Sequence, residues 1–217
     1  MVISERRKRE RERKINEIIN IAEKIFFMKG FVRTTMDEIA SELEFTKPAL
    51  YRYFKSKEDL YYAVVLRGSN ILDKMMMDAV ALEKTGLEKI MATGVVYCKF
   101  YKKYPHYCSL MIQSRNIIPE GKECINFQEL EKQGHNYLKI MCDAIELGKN
   151  DGTIRTDIDT FMTALYLVES TIAVMKVSET MGEVMETMGE NNQDFIIHSL
   201  DLMRHSLEKK IDQEDNL

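Results

Sequence analysis

The sequence predicts an all-α protein, with a three-helix N-terminal unit followed by a longer helical bundle. Three observations carry that prediction. Apolar residues recur at three- and four-residue spacing along most of the chain. Ser, Thr and Asp stand immediately before several of these stretches, where they can cap free backbone N–H groups. With 10 Gly and 3 Pro in 217 residues, turn-forming residues are too few for an all-β sandwich. This length allows one or two domains, each with a sizeable core.

Ile15, Ile18, Ile19, Ala22 and Phe26 form the apolar stripe of a first helix that Gly30 ends. Thr35-Met36-Asp37-Glu38 reads as a capping box, with Thr35 on a free backbone N–H and Glu38 reaching back. It opens a short helix through Ile39, Ala40 and Leu43. Thr46 caps the next helix, in which Pro48 is tolerated in the first turn and Ala49, Leu50, Tyr51, Tyr53 and Phe54 follow. Ser56 caps a fourth helix, with Glu58 and Asp59 in its first turn and Leu60, Val64 and Ile71 along it. Two short helices on a three- or four-residue turn, backed by a longer one, make a helix-turn-helix arrangement.

Within that frame stand Ala22-Glu-Lys-Ile-Phe-Phe-Met-Lys-Gly30-Phe, Thr34-Thr-Met-Asp-Glu-Ile-Ala40 and Thr46-Lys-Pro-Ala-Leu-Tyr-Arg-Tyr-Phe-Lys-Ser-Lys57-Glu-Asp-Leu60-Tyr. This pattern resembles the N-terminal DNA-binding domain of TetR/AcrR-type transcriptional regulators over about fifty residues; the rest is similar only in length and helical character. The resemblance implies a DNA-binding domain with a basic N-terminal arm at 1–67 and a helical ligand-binding and dimerisation domain at 68–217. It also implies a homodimer on palindromic double-stranded DNA, no cofactor, and a small effector. Lys47, Pro48 and Ala49 would face the major groove, where a lysine donates to guanine and small apolar groups meet a thymine methyl. Thr35, Tyr51, Tyr53 and Lys57 match phosphate-contacting positions, Thr46 opens the recognition helix, and Arg33 is a further phosphate candidate. Leu50 and Phe54 read as core. The turn departs from the family pattern, with Glu44 where glycine is usual. A non-glycine residue at positive φ costs about 1–2 kcal/mol, so either the turn is drawn differently or the strain is tolerated.

Charge supports a polyanionic partner. Residues 1–67 hold 15 Lys and Arg against 11 Asp and Glu, whereas residues 68–217 hold 16 against 24, so a +4 segment precedes a −8 body. The densest run is Arg6, Arg7, Lys8, Arg9, Arg11, Arg13 and Lys14, read as a flexible arm. No P-loop, G-x-G-x-x-G, H-E-x-x-H or nucleophile elbow is present, which argues against an enzyme, and no catalytic residue is assigned. Cys98, Cys108, Cys124 and Cys142 form no C-x-x-C pair. His198 and His205 share a helix face without a third metal ligand. No secretory signal is visible and no apolar run approaches about 18 residues, so a cytoplasmic protein away from membranes is expected.

The second half reads as further helices: Leu87 to Tyr101, a shorter one through Tyr107 and Met111 ending near Pro119-Glu-Gly121, then Phe127 to Ile145. After a turn at Asn150-Asp-Gly152 comes an apolar helix from Ile158 to Val177, then a break from Gly182 to Asn192. A last helix carries Ile196, Leu200, Met203 and Leu207 before a polar tail. The apolar helix calls for cover from a second subunit. Tyr97, Tyr101, Met111, Tyr137, Met141 and Tyr166 are candidates for an adaptable apolar or amphipathic pocket, and Glu169 is an acid in an apolar stretch. Two alternatives without a small-molecule effector stand beside this reading, a thiol-based redox sensor using Cys98 and Cys108 and a helical interaction module.

Overall fold

The computed structural model describes residues 2–119 and 124–209 and is all-α. Its helices are α1 (Val2–Arg33), α2 (Met36–Glu42), α3 (Lys47–Tyr51), α4 (Lys57–Val80), α5 (Gly86–Lys103), α6 (Pro105–Ser114), α7 (Ile125–Asp151), α8 (Thr160–Thr180), α9 (Gly182–Thr187) and α10 (Asn192–Leu207). Among the described residues there is no strand, only an isolated antiparallel bridge between Ile154 and Glu208. Gly121 and the tail beyond Lys209 lie outside the described residues.

Several boundaries differ from the sequence reading. Helix α1 starts at Val2, so the basic run is helical, with Arg6 paired to Glu10 at 3.2 Å and Lys8 to Glu12 at 4.0 Å. Gly30 kinks this helix at φ 69° and ψ 177°, yet helical turns resume to Arg33. Helix α6 stops at Ser114, before Pro119. Residues 182–187, expected as a break, form α9, while the turn glycine Gly152 does take positive φ, 82°.

Two compact units emerge, Met1–Asn70 with Tyr104–Gln133, and Ile71–Lys103 with Gly134–Leu217. A linear division after residue 67 leaves α6 out of the first unit. It belongs there because the Tyr61 hydroxyl donates to the Leu110 carbonyl at 2.9 Å and the Tyr62 hydroxyl to that of Ser114 at 3.0 Å, both from buried positions. Ile18, Ala22, Ile39, Leu50 and Leu60 are fully buried in this unit, and Phe26 meets the Tyr61 ring edge-on at 5.1 Å. Burying one such aliphatic or aromatic side chain contributes about 1.5–3 kcal/mol, so these residues and the tyrosine hydroxyls together fix the helix arrangement. Glu23 is held between Arg67, at 2.8 Å, and the Tyr107 hydroxyl, at 2.5 Å.

The second unit is built around Ile90, Met141, Ala144, Ile145, Ile154, Ala164, Leu167, Met203 and Leu207. Helix α8 leaves much of its apolar surface outside this core: Phe161 is 51% exposed, Met162 65% and Tyr166 58%. Thr160–Val177 has a mean hydropathy of 1.3 over 18 residues, long and apolar enough to cross a membrane, and only 17% of it is buried within the chain. This overturns the expectation that no apolar run approaches that length. Isolated Thr, Ser and Glu residues interrupt the stretch to the eye without lowering its average much.

Candidate nucleic-acid interface

The helix-turn-helix is set by local chemistry. The Thr35 hydroxyl caps α2 by accepting the Glu38 N–H at 3.2 Å. Glu38 does not complete the expected capping box among the described residues, because its carboxylate pairs with Lys29 of α1 instead. That pair links α2 to the helix behind it.

Beyond α2, Leu43 is the C-cap and Glu44 takes φ 55°. The Glu44 N–H donates to the Ser41 carbonyl at 3.0 Å and the Phe45 N–H to that of Ala40 at 2.8 Å. These two bonds define a Schellman turn with glutamate at the left-handed position that glycine usually fills. The turn is therefore the ordinary one, and the strain is carried.

Helix α3 is shorter than the sequence suggests, closing at Tyr51, and Thr46 caps it by position only, without a side-chain hydrogen bond. Leu50 is fully buried and Phe54 nearly so, as expected of core residues, while Thr46, Lys47, Pro48 and Tyr51 are exposed and Ala49 is half-buried. One face of α3 thus seals the unit and the other meets solvent. The Lys47 ammonium donates to the Asp37 carboxylate at 2.8 Å, and this bond pushes the lysine pKa up, keeping it charged. Tyr53 is half-buried beside Phe45, with ring centroids 6.4 Å apart. The exposed Arg33 uses one of its five donors on the Lys29 carbonyl at 3.1 Å.

Lys57 is placed differently from a simple phosphate contact. Its ammonium donates to the Phe31 and Thr34 carbonyls at 3.0 and 3.1 Å and lies 4.1 Å from the centroid of the Phe31 ring. Those carbonyls end α1, where a lysine is favoured both as a donor and by the helix dipole. Lys57 braces the end of α1 against the start of α4.

The ligand candidates take different positions in the structure. Tyr97 is buried on α5, and Tyr137 and Met141 face the second-unit core from α7. The Thr93 hydroxyl stands 3.5 Å from the Met141 sulfur. Burial pushes the Tyr137 hydroxyl up, with Thr93 pulling it partly back and the Asp73 charge acting in the same direction as burial. Asp73, half-buried, has its own carboxyl raised by desolvation. Thr93 and Asp73 are the polar groups that sequence reasoning missed, since a lone Thr or Asp on an amphipathic helix carries no signal. Tyr101 instead lines a cleft of about 640 Å³ with Lys102, Asn192 and Gln193. Met111 lies on α6, in the first unit, and Tyr166 and Glu169 are exposed on α8. Among the described residues no three His, Cys, Asp or Glu side chains group as metal ligands would. Burial pushes the thiols of Cys98, Cys124 and Cys142 up, away from the reactive thiolate.

Residues 18–64 match the family model described as bacterial regulatory proteins, tetR family. The Transposon Tn10 TetC protein of Escherichia coli is 30% identical over 131 residues, 59% of this chain and 61% of that protein. The HTH-type transcriptional repressor KstR2 of Mycolicibacterium smegmatis is 22% identical over 156 residues, 72% and 75% of the two chains. Among solved structures, AibR in complex with isovaleryl coenzyme A and operator DNA superposes with a TM-score of 0.67 at 16% identity, covering 87% of this chain and 96% of that one.

Proposed function

We propose that the chain, whose residues 18–64 match the tetR family of bacterial regulatory proteins, is a transcription regulator of that kind and not an enzyme: a cytoplasmic, ligand-responsive repressor. It binds a palindromic operator as a homodimer and releases it on binding a small apolar or amphipathic effector. The observation that carries this reading is the divided α3: Leu50 anchors the helix while Lys47, Pro48 and Ala49 stand on its solvent side, ready for base edges. Thr35, Arg33, Tyr51 and Tyr53 supply donors for phosphates around it, and Lys57 keeps the scaffold in register.

The uncovered apolar residues of α8, with Ile197 and Leu202 of α10 at 56% and 58% exposure, support dimerisation through these two helices. A two-fold dimer would offer two α3 helices about 34–36 Å apart to successive major grooves. For the effector, Tyr97, Tyr137 and Met141 would supply apolar wall on opening of the second-unit core they pack in, with Thr93 and Asp73 as the polar groups beside them. AibR holds an acyl thioester of coenzyme A, so an acyl-coenzyme A series is the first probe. The raised Cys98 thiol disfavours the redox-sensing alternative.

Linkage provides the test. If the effector favours the DNA-incompetent state by about 1–3 kcal/mol, operator binding weakens about 5–150-fold, and operator must weaken effector binding by the same factor. Titrating acyl-coenzyme A thioesters of graded chain length into free and operator-bound protein, alongside sedimentation, should give a dimer and equal coupling in both directions. A monomer on and off DNA, or equal effector affinity in both states, contradicts the reading.

A further inference from the structure

Resting on the DNA-binding reading above, we propose that the first half of α1 and Arg52 form a second DNA contact, a cleft that grips backbone phosphates flanking the operator. The cleft, about 500 Å³, lies within the first unit and is lined by Arg7, Arg11, Arg13, Lys14, Arg52 and Tyr53, with Glu10 as its one carboxylate. Glu10 is engaged by Arg6 at 3.2 Å. Among the described residues Arg7, Arg11, Arg13 and Arg52 form no ion pair within 4.0 Å, and all four are exposed. Four guanidinium groups gathered without counter-charge repel one another, and a polyanion relieves that repulsion.

The arm is not a loose tether. Arg7, Arg11 and Lys14 recur at helical spacing and so share one face over about 10 Å, at 1.5 Å rise per residue. DNA advances about 3.4 Å per phosphate on each strand, so this face spans about three phosphates. Lys14 ties the arm to the helix-turn-helix: its ammonium, paired within α1 to Glu17 at 2.9 Å, lies 5.3 Å from the centroid of the Phe45 ring. Phe45, closing the Schellman turn, in turn packs beside Tyr53. The cleft therefore keeps a set position relative to α3, and it reads backbone rather than sequence. The operator footprint extends past the bases that α3 reaches, on the side where α1 begins.

The test compares wild-type protein with an Arg7→Gln/Arg11→Gln/Arg52→Gln variant on two duplexes, the footprinted operator trimmed to its palindrome and the same operator with eight flanking base pairs on each side. The variant should bind the trimmed duplex like wild type and lose affinity on the long one. Its slope of log K against log salt on the long duplex should fall by about two to three, at close to 0.9 per phosphate lost. Exposed arginines contribute little to folding, and circular dichroism of the variant checks that α1 persists. Equal binding of both proteins to both duplexes, or equal loss on both duplexes, overturns this inference and leaves the α3 reading intact. Wild-type protein that binds neither duplex overturns both.

Discussion

Replacing Lys57 by methionine keeps the aliphatic stem and removes the ammonium, so it separates a brace from a phosphate contact. The native ammonium makes two charged hydrogen bonds, to Phe31 and Thr34, and a cation–π contact with Phe31. A hydrogen bond to a charged group contributes about 1.5–3 kcal/mol and an exposed cation–π contact about 0.5–1. Lys57 is half-exposed, and water can replace part of what is lost, so the expected cost is about 2–3 kcal/mol for the three contacts together. At about 2–4 °C per kcal/mol for a chain of this size, the melting temperature of the first unit should fall by roughly 4–12 °C. Calorimetry gives that number, and DNA titrations well below the melt give the other half. The brace predicts lower stability with the salt dependence of DNA binding unchanged. An unchanged melting temperature together with a salt slope lower by about one would place the ammonium on a phosphate and refute the reasoning.

Three further outcomes follow from the same structure. Glu44→Gly relieves a left-handed backbone cost of about 1–2 kcal/mol, part of it offset by the entropy of a more flexible unfolded chain, so the melting temperature should rise by about 2–4 °C; no rise would mean the turn relaxes in solution. Burial raises the Tyr61, Tyr62 and Tyr107 hydroxyls in the folded state, Tyr62 from 10.0 to about 12. Their contribution to stability is complete below pH 10 and is lost as pH rises through the folded-state values, about 12 for Tyr62 and higher for Tyr61 and Tyr107, so phenolate absorbance should appear together with unfolding of the first unit; early phenolate formation in intact protein would contradict the buried hydrogen bonds. Gly86→Ala would put a Cβ inside the Gly148 and Ala144 backbone where α5 crosses α7, which should cost about 3 kcal/mol or more by urea denaturation; a loss below about 1 kcal/mol would show the crossing to be looser.

The helix-turn-helix was readable from sequence because its chemistry is local. Thr35, Thr46, Ser56 and the Glu44 turn act within a few residues of themselves, and each appears where spacing put it. Glu38 and Lys57 escaped that logic because their partners, Lys29 and the Phe31 and Thr34 carbonyls, lie across a helix junction that local rules do not see. The same limit scattered the ligand candidates. A tyrosine on an amphipathic helix has the same spacing whether it faces a core, as Tyr137 does, or solvent, as Tyr166 does. The charge run misled at α1, where i,i+4 pairs such as Arg6 with Glu10 support a helix that it did not announce.

The most direct test of the account measures affinity at one fixed salt concentration for duplexes tiled across the DNA upstream of the chain's own coding sequence, with a scrambled duplex as reference and Lys47→Ala beside wild type. The account predicts that one palindromic segment binds wild-type dimer at least about a thousandfold more tightly than the scrambled duplex. Lys47→Ala should lose at least tenfold on that segment and little on the reference, the pattern that base-edge readout by its ammonium requires. Affinities that track salt alone, equal for every duplex and unmoved by Lys47→Ala, would contradict it.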